Sequence, residues 1–444
     1  MAGIQLNQNV SLEAFSKATD LKKRILFAIL ALFVYRIGTY IPLPGLDPGA
    51  VSELANRYLH GSGLLWMINL FSGGALSRMT IFALNLMPYI SSSIIIQLFT
   101  MVSPTLEALK KEGESGRRKI HQYTKYLTIF IASFQAYGIS ILLMGAEGNP
   151  VVIGGLFPVI AVPSLVCGTL FLVWLGEQIT SRGVGNGSSL LIFAGIVANM
   201  PASVANIFEL GRAGALSVFS VIVIFSVAFA VIVFVVFVER AQRKVTISYP
   251  QRQAMIGQGM FGEGNHMPLK INSSGVIPPI FAYSLLSIPL MLLGNLVSKN
   301  TENEYLHAFI EFFDRGGPLF SLLLVGLIIF FSFFYTAIVF NPTETADNLK
   351  KAGGFIPGVR PGQATADYLD YILTRLTTVG ALYMSFVCIL PDIMNAKFGV
   401  HFLFGGTGIL IIVGVTMDTV SQVYTHILSH QYRGVLKRMD RRKR

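Results

Sequence analysis

LLWMINLFSGGALSRMTIFALNLMPYISSSIIIQLFTMVS, residues Leu64 to Ser103, is apolar for about forty residues, roughly twice what one helix needs to cross a hydrocarbon core of about 30 Å. It breaks in its first third at Ser72-Gly73-Gly74 and carries Arg78 just after. One straight helix does not account for it. Two ordinary helices in a tight hairpin are the alternative and fit less well, because the residues from Leu64 to about Leu76 rise only about 20 Å as a helix. The reading that fits is a short segment, Leu64 to about Leu76, that enters the membrane and turns, followed by a full-length helix from about Met79 to Met101. Non-helical backbone at membrane depth is tolerated only where protein or a water-filled cavity satisfies its polar groups. The re-entrant piece is therefore expected to lie in a cavity.

Working outward, the 444 residues are 53% hydrophobic and only 13% charged, with a mean hydropathy of +0.61, which marks a polytopic membrane protein. Cys167 and Cys388 fall inside apolar stretches, where packing explains them better than a disulfide or a metal pair. Residues 1–24 form a polar N-terminal segment closed by Lys22-Lys23-Arg24, and Ile25 to Ile41 is a first span stopped at Pro42-Leu43-Pro44-Gly45 with no cleavage site after it. Further spans are expected at about Gln122–Met144, Gly155–Ile179, Ser188–Phe208, Leu216–Val238, Gly275–Val297, Leu319–Phe340, Tyr371–Met394 and Phe402–His426. Two long polar loops, about 239–272 and 341–370, exceed what a simple connection needs and are candidate functional surfaces.

Ten spans place both termini on one side, and the distribution of basic residues says which. Of the 34 Lys and Arg, twenty-seven lie on the side of the termini and the two long loops, five on the other, and Arg36 and Arg78 inside apolar stretches. The termini are thus expected in the cytoplasm. Five spans in residues 25–210 and five in 216–426 give halves of opposite orientation, an arrangement compatible with an inverted repeat. A basic tail, 427–444, follows.

The chemistry is mostly an absence. No nucleotide loop, zinc-protease helix, paired metal-spaced cysteines or serine elbow is present. Gly183-x-Gly185-x-Gly187 precedes a span and follows no strand, so it reads as a turn at the membrane surface. Ionisable residues within spans are few: Arg36, Arg78, Glu177 and Asp418. None forms an obvious opposed pair at the midplane, which favours a channel gated by apolar packing over an ion-coupled carrier. A secondary transporter of a small solute remains the alternative from another class; an intramembrane enzyme would need a nucleophile or metal set that the sequence does not offer.

Several long stretches carry a family resemblance. FSGGALSRMTIFALNLMPYISSSIIIQL (Phe71–Leu98), KKEGESGRRK (Lys110–Lys119), WLGEQITSRGVGNG (Trp174–Gly187), VIPPIF (Val276–Phe281), FYTAIVFNPTETADNLKK (Phe334–Lys351), FIPGVRPG (Phe355–Gly362) and FGGTG (Phe404–Gly408) closely resemble the SecY family, the central subunits of the bacterial protein-translocation channel. The resemblance spans nearly the whole chain. It implies an all-α polytopic membrane protein of ten transmembrane helices in two inverted five-helix halves, with a re-entrant plug helix at about 64–78. Such a channel passes unfolded secretory polypeptides across the cytoplasmic membrane and releases membrane segments sideways into lipid, with no catalytic residue and no cofactor.

Carried over position by position, the resemblance puts a pore ring at Leu86, Ile90, Ser188, Ile192, Ile280 and Ile411, where Ser188 departs from the apolar pattern. Such a ring dewets when closed and deforms around any passing sequence. The plug would include Met67, Phe71, Ser72, Gly73, Gly74, Leu76 and Arg78, and the lateral gate Ile94, Gln97, Ile277 and Pro278. The long loops, with Arg243, Lys244, Arg252 and Arg360, resemble docking sites for the ribosome and the motor ATPase SecA. Arg360 is set between Pro357-Gly358 and Pro361-Gly362, while the 254–264 tip lacks the basic pair common in related chains. The partners implied are SecE and SecG, SecA, the ribosome, signal sequences with nascent or secretory polypeptides, membrane lipids, and the accessory proteins SecDF and YidC.

Overall fold

The computed structural model describes residues 19–47, 49–51, 53, 69, 71–145, 151–152, 154–214, 217–249, 266–286, 318–398 and 405–442. Met67 and Arg252 lie outside this set. Helix α1 covers Thr19–Gly38, α2 Met87–Val102, α3 Pro104–Lys111 and α4 Glu114–Met144. They are followed by α5 Phe157–Arg182, α6 Gly187–Arg212 and α7 Val218–Arg240. After a two-stranded antiparallel ribbon, β1 Gln242–Thr246 and β2 His266–Lys270, come α8 Ile277–Leu286, α9 Pro318–Val339, α10 Pro342–Lys351, α11 Gln363–Phe398 and α12 Gly405–Arg442. Each of the ten expected spans overlaps one of these helices, and of the Gly275–Val297 span only the part up to Leu286 lies within the described residues. Among the described residues six helices are long and apolar enough by themselves to cross a membrane, or seven if the bent pair α2–α3 is counted as one.

The spans bury one side and leave the other apolar and bare: Phe33, Phe130, Phe229 and Leu322 are all more than 60% exposed. Apolar surface on that scale is what lipid requires and water does not tolerate. Cys388 is buried as expected, whereas Cys167 sits on the outer surface of α5; neither is in a disulfide. In the first half α4 packs on α2 and α5, and α5 on α1 and α6; in the second, α11 packs on α9 and α12. The halves meet where α12 lies against α1 and α6 and where α7 contacts α6, and α7 also packs on α12 within the second half. The largest apolar cluster runs through this seam, including Tyr35, Phe71, Leu86, Leu191, Ile280, Phe281 and Ile411.

Three expectations need correction. The span after the break does not begin at Met79. Residues 72–86 run through successive turns, and regular helix starts only at Met87, with Pro88 in its first turn. The backbone marks the break: Gly73 and Gly74 take φ of 68° and 80°, and Met79 and Asn85, at 43° and 50°, also sit in the left-handed region that interrupts a helix. Next, the two long loops are not separate surfaces. Ser248 and Phe355 exchange backbone hydrogen bonds of 2.8 and 3.0 Å, and Val245, Ile247 and Leu269 of the ribbon share an apolar cluster with Leu349, Ile356, Leu369 and Leu373. Among the described residues the regular structure is helical apart from this ribbon. Finally, Asp418 is not embedded among apolar groups; its side chain is 70% exposed and lies 3.6 Å from Lys270 Nζ on β2.

Candidate functional site

The segment 71–86 has irregular backbone at the centre of an apolar body, so each of its carbonyls needs a donor. The Tyr35 hydroxyl on α1 donates to Ser72 O at 3.3 Å. Arg36 Nη1, one residue on, donates to Gly73 O at 2.9 Å, and Arg78 Nη2 reaches the same carbonyl at 2.9 Å. Arg78 Nε and Ser77 Oγ serve Gly74 O at 3.1 and 2.8 Å. Tyr40 lies beneath both guanidinium groups, 4.1 Å from that of Arg78 and 5.2 Å from that of Arg36. Arg36 and Arg78 thus hold one turn of backbone.

The far side of the turn is pressed onto α6. A Cβ on Gly195 would stand 2.5 Å from Phe71 O and 3.0 Å from Tyr35 Oη. Only glycine lets the two backbones approach so closely. The end of the segment is fixed as well: the buried Asn85 donates from Nδ2 to Phe71 O at 2.6 Å, while Pro42–Thr80 and Leu43–Met79 contacts tie it to the chain leaving α1. Leu76, Ala83 and Leu84 add an apolar attachment to α4 and α5.

Directly against this segment lies a cavity of about 10 Å³ lined by Phe71, Asn85, Leu86, Met87, Ile90, Ile192, Ile280 and Ile411. It is too small for more than a single water. Five of the six expected ring residues meet here from four separate parts of the chain: the turn segment with α2, α6, α8 and α12. Leu86 and Ile411 are at most 1% exposed, Ile192 6% and Ile280 9%, so branched aliphatic groups enclose this space. No ionisable side chain lines it.

Ser188 is not among the lining residues. It occupies the first turn of α6, where its N–H donates to the capping Asn186 Oδ1 at 3.2 Å, and it packs against Gly176 of α5. The glycine-rich turn before it is rigidly placed: Gly185 N–H donates to Gln422 of α12 at 3.0 Å and Gly187 N–H to Thr180 Oγ1 at 2.8 Å.

Between α2 and α8 the hydroxyls of Ser91 and Ser284 are hydrogen-bonded to each other, both nearly fully buried. Ile94 is buried nearby on α2, and Pro278 on α8, with Ile277 packed on the same cluster. Gln97 donates to Ser93 of its own helix at 3.3 Å, and its Oε1 has no partner among the described residues. At the ribbon, Arg243 and Lys244 are exposed on β1. Arg360 is exposed too, on a turn bounded by Gly358 and Gly362 at φ of 86° and 110° and pinned by Thr365 Oγ1 donating to its carbonyl at 2.9 Å.

Sequence reasoning missed Tyr35, Asn85, Gly195 and the Ser91–Ser284 pair. An asparagine inside an apolar run is a visible signal for Asn85. Nothing in the local sequence distinguishes Gly195 from a glycine that merely packs.

The family model described as SecY matches residues 80–420. The protein translocase subunit SecY of Vibrio cholerae is 50% identical over 432 residues, covering 96% of each chain. Among solved structures, one described as a protein-conducting channel aligns with a TM-score of 0.68 at 17% identity, over 91% of this chain and 92% of that one. Sec61 in the canine ribosome–channel complex from the endoplasmic reticulum aligns at 0.65 and 16% identity, with the same coverage.

Proposed function

The chain belongs to the SecY family, and from that membership we propose a division of labour among its parts. The protein is a protein-conducting channel of the membrane, translocating secretory polypeptides and releasing membrane segments into lipid. One observation carries the finer reading: aliphatic side chains from four elements of both halves close on a space no larger than a water, with a tethered, non-helical segment laid against it. In this reading Leu86, Ile90, Ile192, Ile280 and Ile411 are the ring, and Ser188 stands one turn away on its polar approach.

The segment around Phe71–Arg78 is the plug, seated by Tyr35, Arg36 and Asn85. The seam between α2 and α8, closed by Ser91 and Ser284, is the lateral gate, with Ile94, Gln97, Ile277 and Pro278 along it. A signal segment entering lipid there gains roughly 0.3 to 0.6 kcal/mol per Leu, Ile, Phe or Val, so sorting needs no catalytic group. The protein works without enzymatic activity of its own, in the bacterial cytoplasmic membrane with its termini and the ribbon unit in the cytoplasm. Residues 25–210 and 216–426 act as the two halves.

Ribbon and 355–362 turn form one platform presenting Arg243, Lys244 and Arg360 to SecA or the ribosome; the canine relative is described in a ribosome complex. SecE and SecG complete the channel, with SecDF and YidC as accessories. The test is a site-specific crosslink from Ile411 to a secretory precursor stalled halfway through export. An adduct at Ile411 places the client within the ring. Adducts only at neighbouring turns of α12 move the ring, and silence along the whole helix returns the small-solute transporter.

A further inference from the structure

Asn85 combines three features that the ring itself does not explain. It is 2% exposed, it holds φ at 50°, and it lines the cavity beside Leu86 while its Nδ2 donates to Phe71 O at 2.6 Å. The orientation of its amide is dictated, since only nitrogen can donate to a carbonyl. Its Oδ1 has no partner among the described residues. A buried amide oxygen left unpaired opposes the closed state, and a group of this kind calls for an explanation beyond packing.

We propose that Asn85 is the latch that couples the plug to the gate helix. The bond joins the first residue of the turn segment to the residue that leads, through Leu86, directly into α2. Movement of α2 therefore either carries Phe71 with it or breaks the bond. Once broken, the amide offers one donor side and one acceptor to the cavity, which suits the backbone of any passing peptide and reads no side chain. Held, it keeps Phe71 O satisfied in a space that no other donor side chain lines. The left-handed backbone at Asn85 turns the amide back across fourteen residues to reach that carbonyl. Asn85 is a positioning residue: it sets how firmly the seal rests shut.

This inference rests on the ring-and-plug reading, and the experiment separates the two. Asn85→Gly suits a φ of 50° at least as well and removes the bond; Asn85→Asp keeps size and tolerance of that φ and, once ionised, presents only acceptors. Both are reconstituted as the complete channel complex, with Ile192→Gly as the reference, and ion conductance without client is read in planar bilayers at pH 8. A leak raised roughly fivefold or more in both Asn85 variants is expected, with unchanged complex yield. Leak from Asn85→Gly alone would assign the effect to lost volume and overturn the latch. A tight seal in both, with Ile192→Gly leaking, overturns the latch and leaves the ring; a tight seal in all three overturns both. Should the glycine variant not assemble, Asn85→Asp decides by the same criterion: leak supports the latch, a normal seal overturns it.

Discussion

Replacing Gly195 with alanine adds one methyl group to α6 at the point where the plug rests on it. The new Cβ would lie 2.5 Å from Phe71 O, 3.0 Å from Tyr35 Oη and 3.2 Å from Gly73 N. Relaxed carbon–oxygen contacts begin at about 3.3 Å, so plug and helix must part by something like 0.8 Å at Phe71. The plug has little freedom to yield in place, because Phe71 O is held by Asn85 and the next two carbonyls by Tyr35 and the arginines. Overpacking of this kind typically costs about 1 to 3 kcal/mol. Charged wholly to the seated plug, that cost raises the unseated fraction by about 5- to 150-fold.

The helix itself is not weakened, since alanine is favoured over glycine in a helix interior by nearly 1 kcal/mol. A control is available on the same helix. A Cβ at Gly211 meets only Val221 Cγ2, at an ordinary 3.5 Å, so Gly211→Ala should be silent. The assay is ion conductance of the reconstituted complex without client, together with export of a precursor whose signal sequence is defective. Gly195→Ala should leak and should export the defective precursor. A normally assembled Gly195→Ala complex that seals like the parent would refute the placement of the plug on α6.

Other perturbations address the remaining parts. Arg360→Glu reverses the charge on an exposed, glycine-bounded turn and should abolish SecA-driven export with assembly intact; loss of the complex instead would make Arg360 structural. Gly354→Ala places a Cβ 2.6 Å from the Tyr249 ring, at the junction of ribbon and turn, and should reduce motor- or ribosome-driven transport several-fold while client-free conductance stays normal. Tyr35→Phe deletes only the bond to Ser72 O, worth roughly 0.6 kcal/mol in a membrane setting. At about 0.3 to 0.6 kcal/mol per leucine, it should lower the signal-sequence length needed for export by one or two leucines in a graded series; an unmoved threshold would uncouple plug release from signal entry.

The helices along the chain were legible because each depends on a local pattern of hydropathy. Hydropathy marks the helices, basic residues mark one side, and the resemblance supplied positions on α2, α6, α8 and α12 that the fold then brings around one cavity. The plug's conformation was not legible. Residues 79–86 are apolar enough to continue a helix, and what prevents it is tertiary: Thr80 and Met79 bond to the strand-like exit from α1, and Asn85 turns back to Phe71. The union of the two long loops was hidden for a similar reason. Ser248 and Phe355 are over a hundred residues apart, and neither carries a motif that announces its backbone partner.

These contacts explain how a seal can be secure against ions and yet indifferent to the sequence it admits. The ring contributes only aliphatic contact, which any chain can displace. The specific part of the closed state is the seat, where three bonds from the scaffold reach the plug backbone: Tyr35 to Ser72, Arg36 to Gly73 and Asn85 to Phe71. At roughly 0.6 kcal/mol each in a membrane protein, they amount to about 2 kcal/mol. A signal segment gains a similar sum when about three to seven of its apolar residues reach lipid at the α2–α8 seam. The seat is thus weak enough for a client's own hydrophobicity to offset, and strong enough to favour closure about thirtyfold without a client. Because every one of the three acceptors is a main-chain carbonyl, this balance depends on the path of the plug backbone and very little on its side chains. Substitutions in Tyr35, Asn85 or Gly195 should therefore disturb gating more than most side-chain changes within residues 74–78.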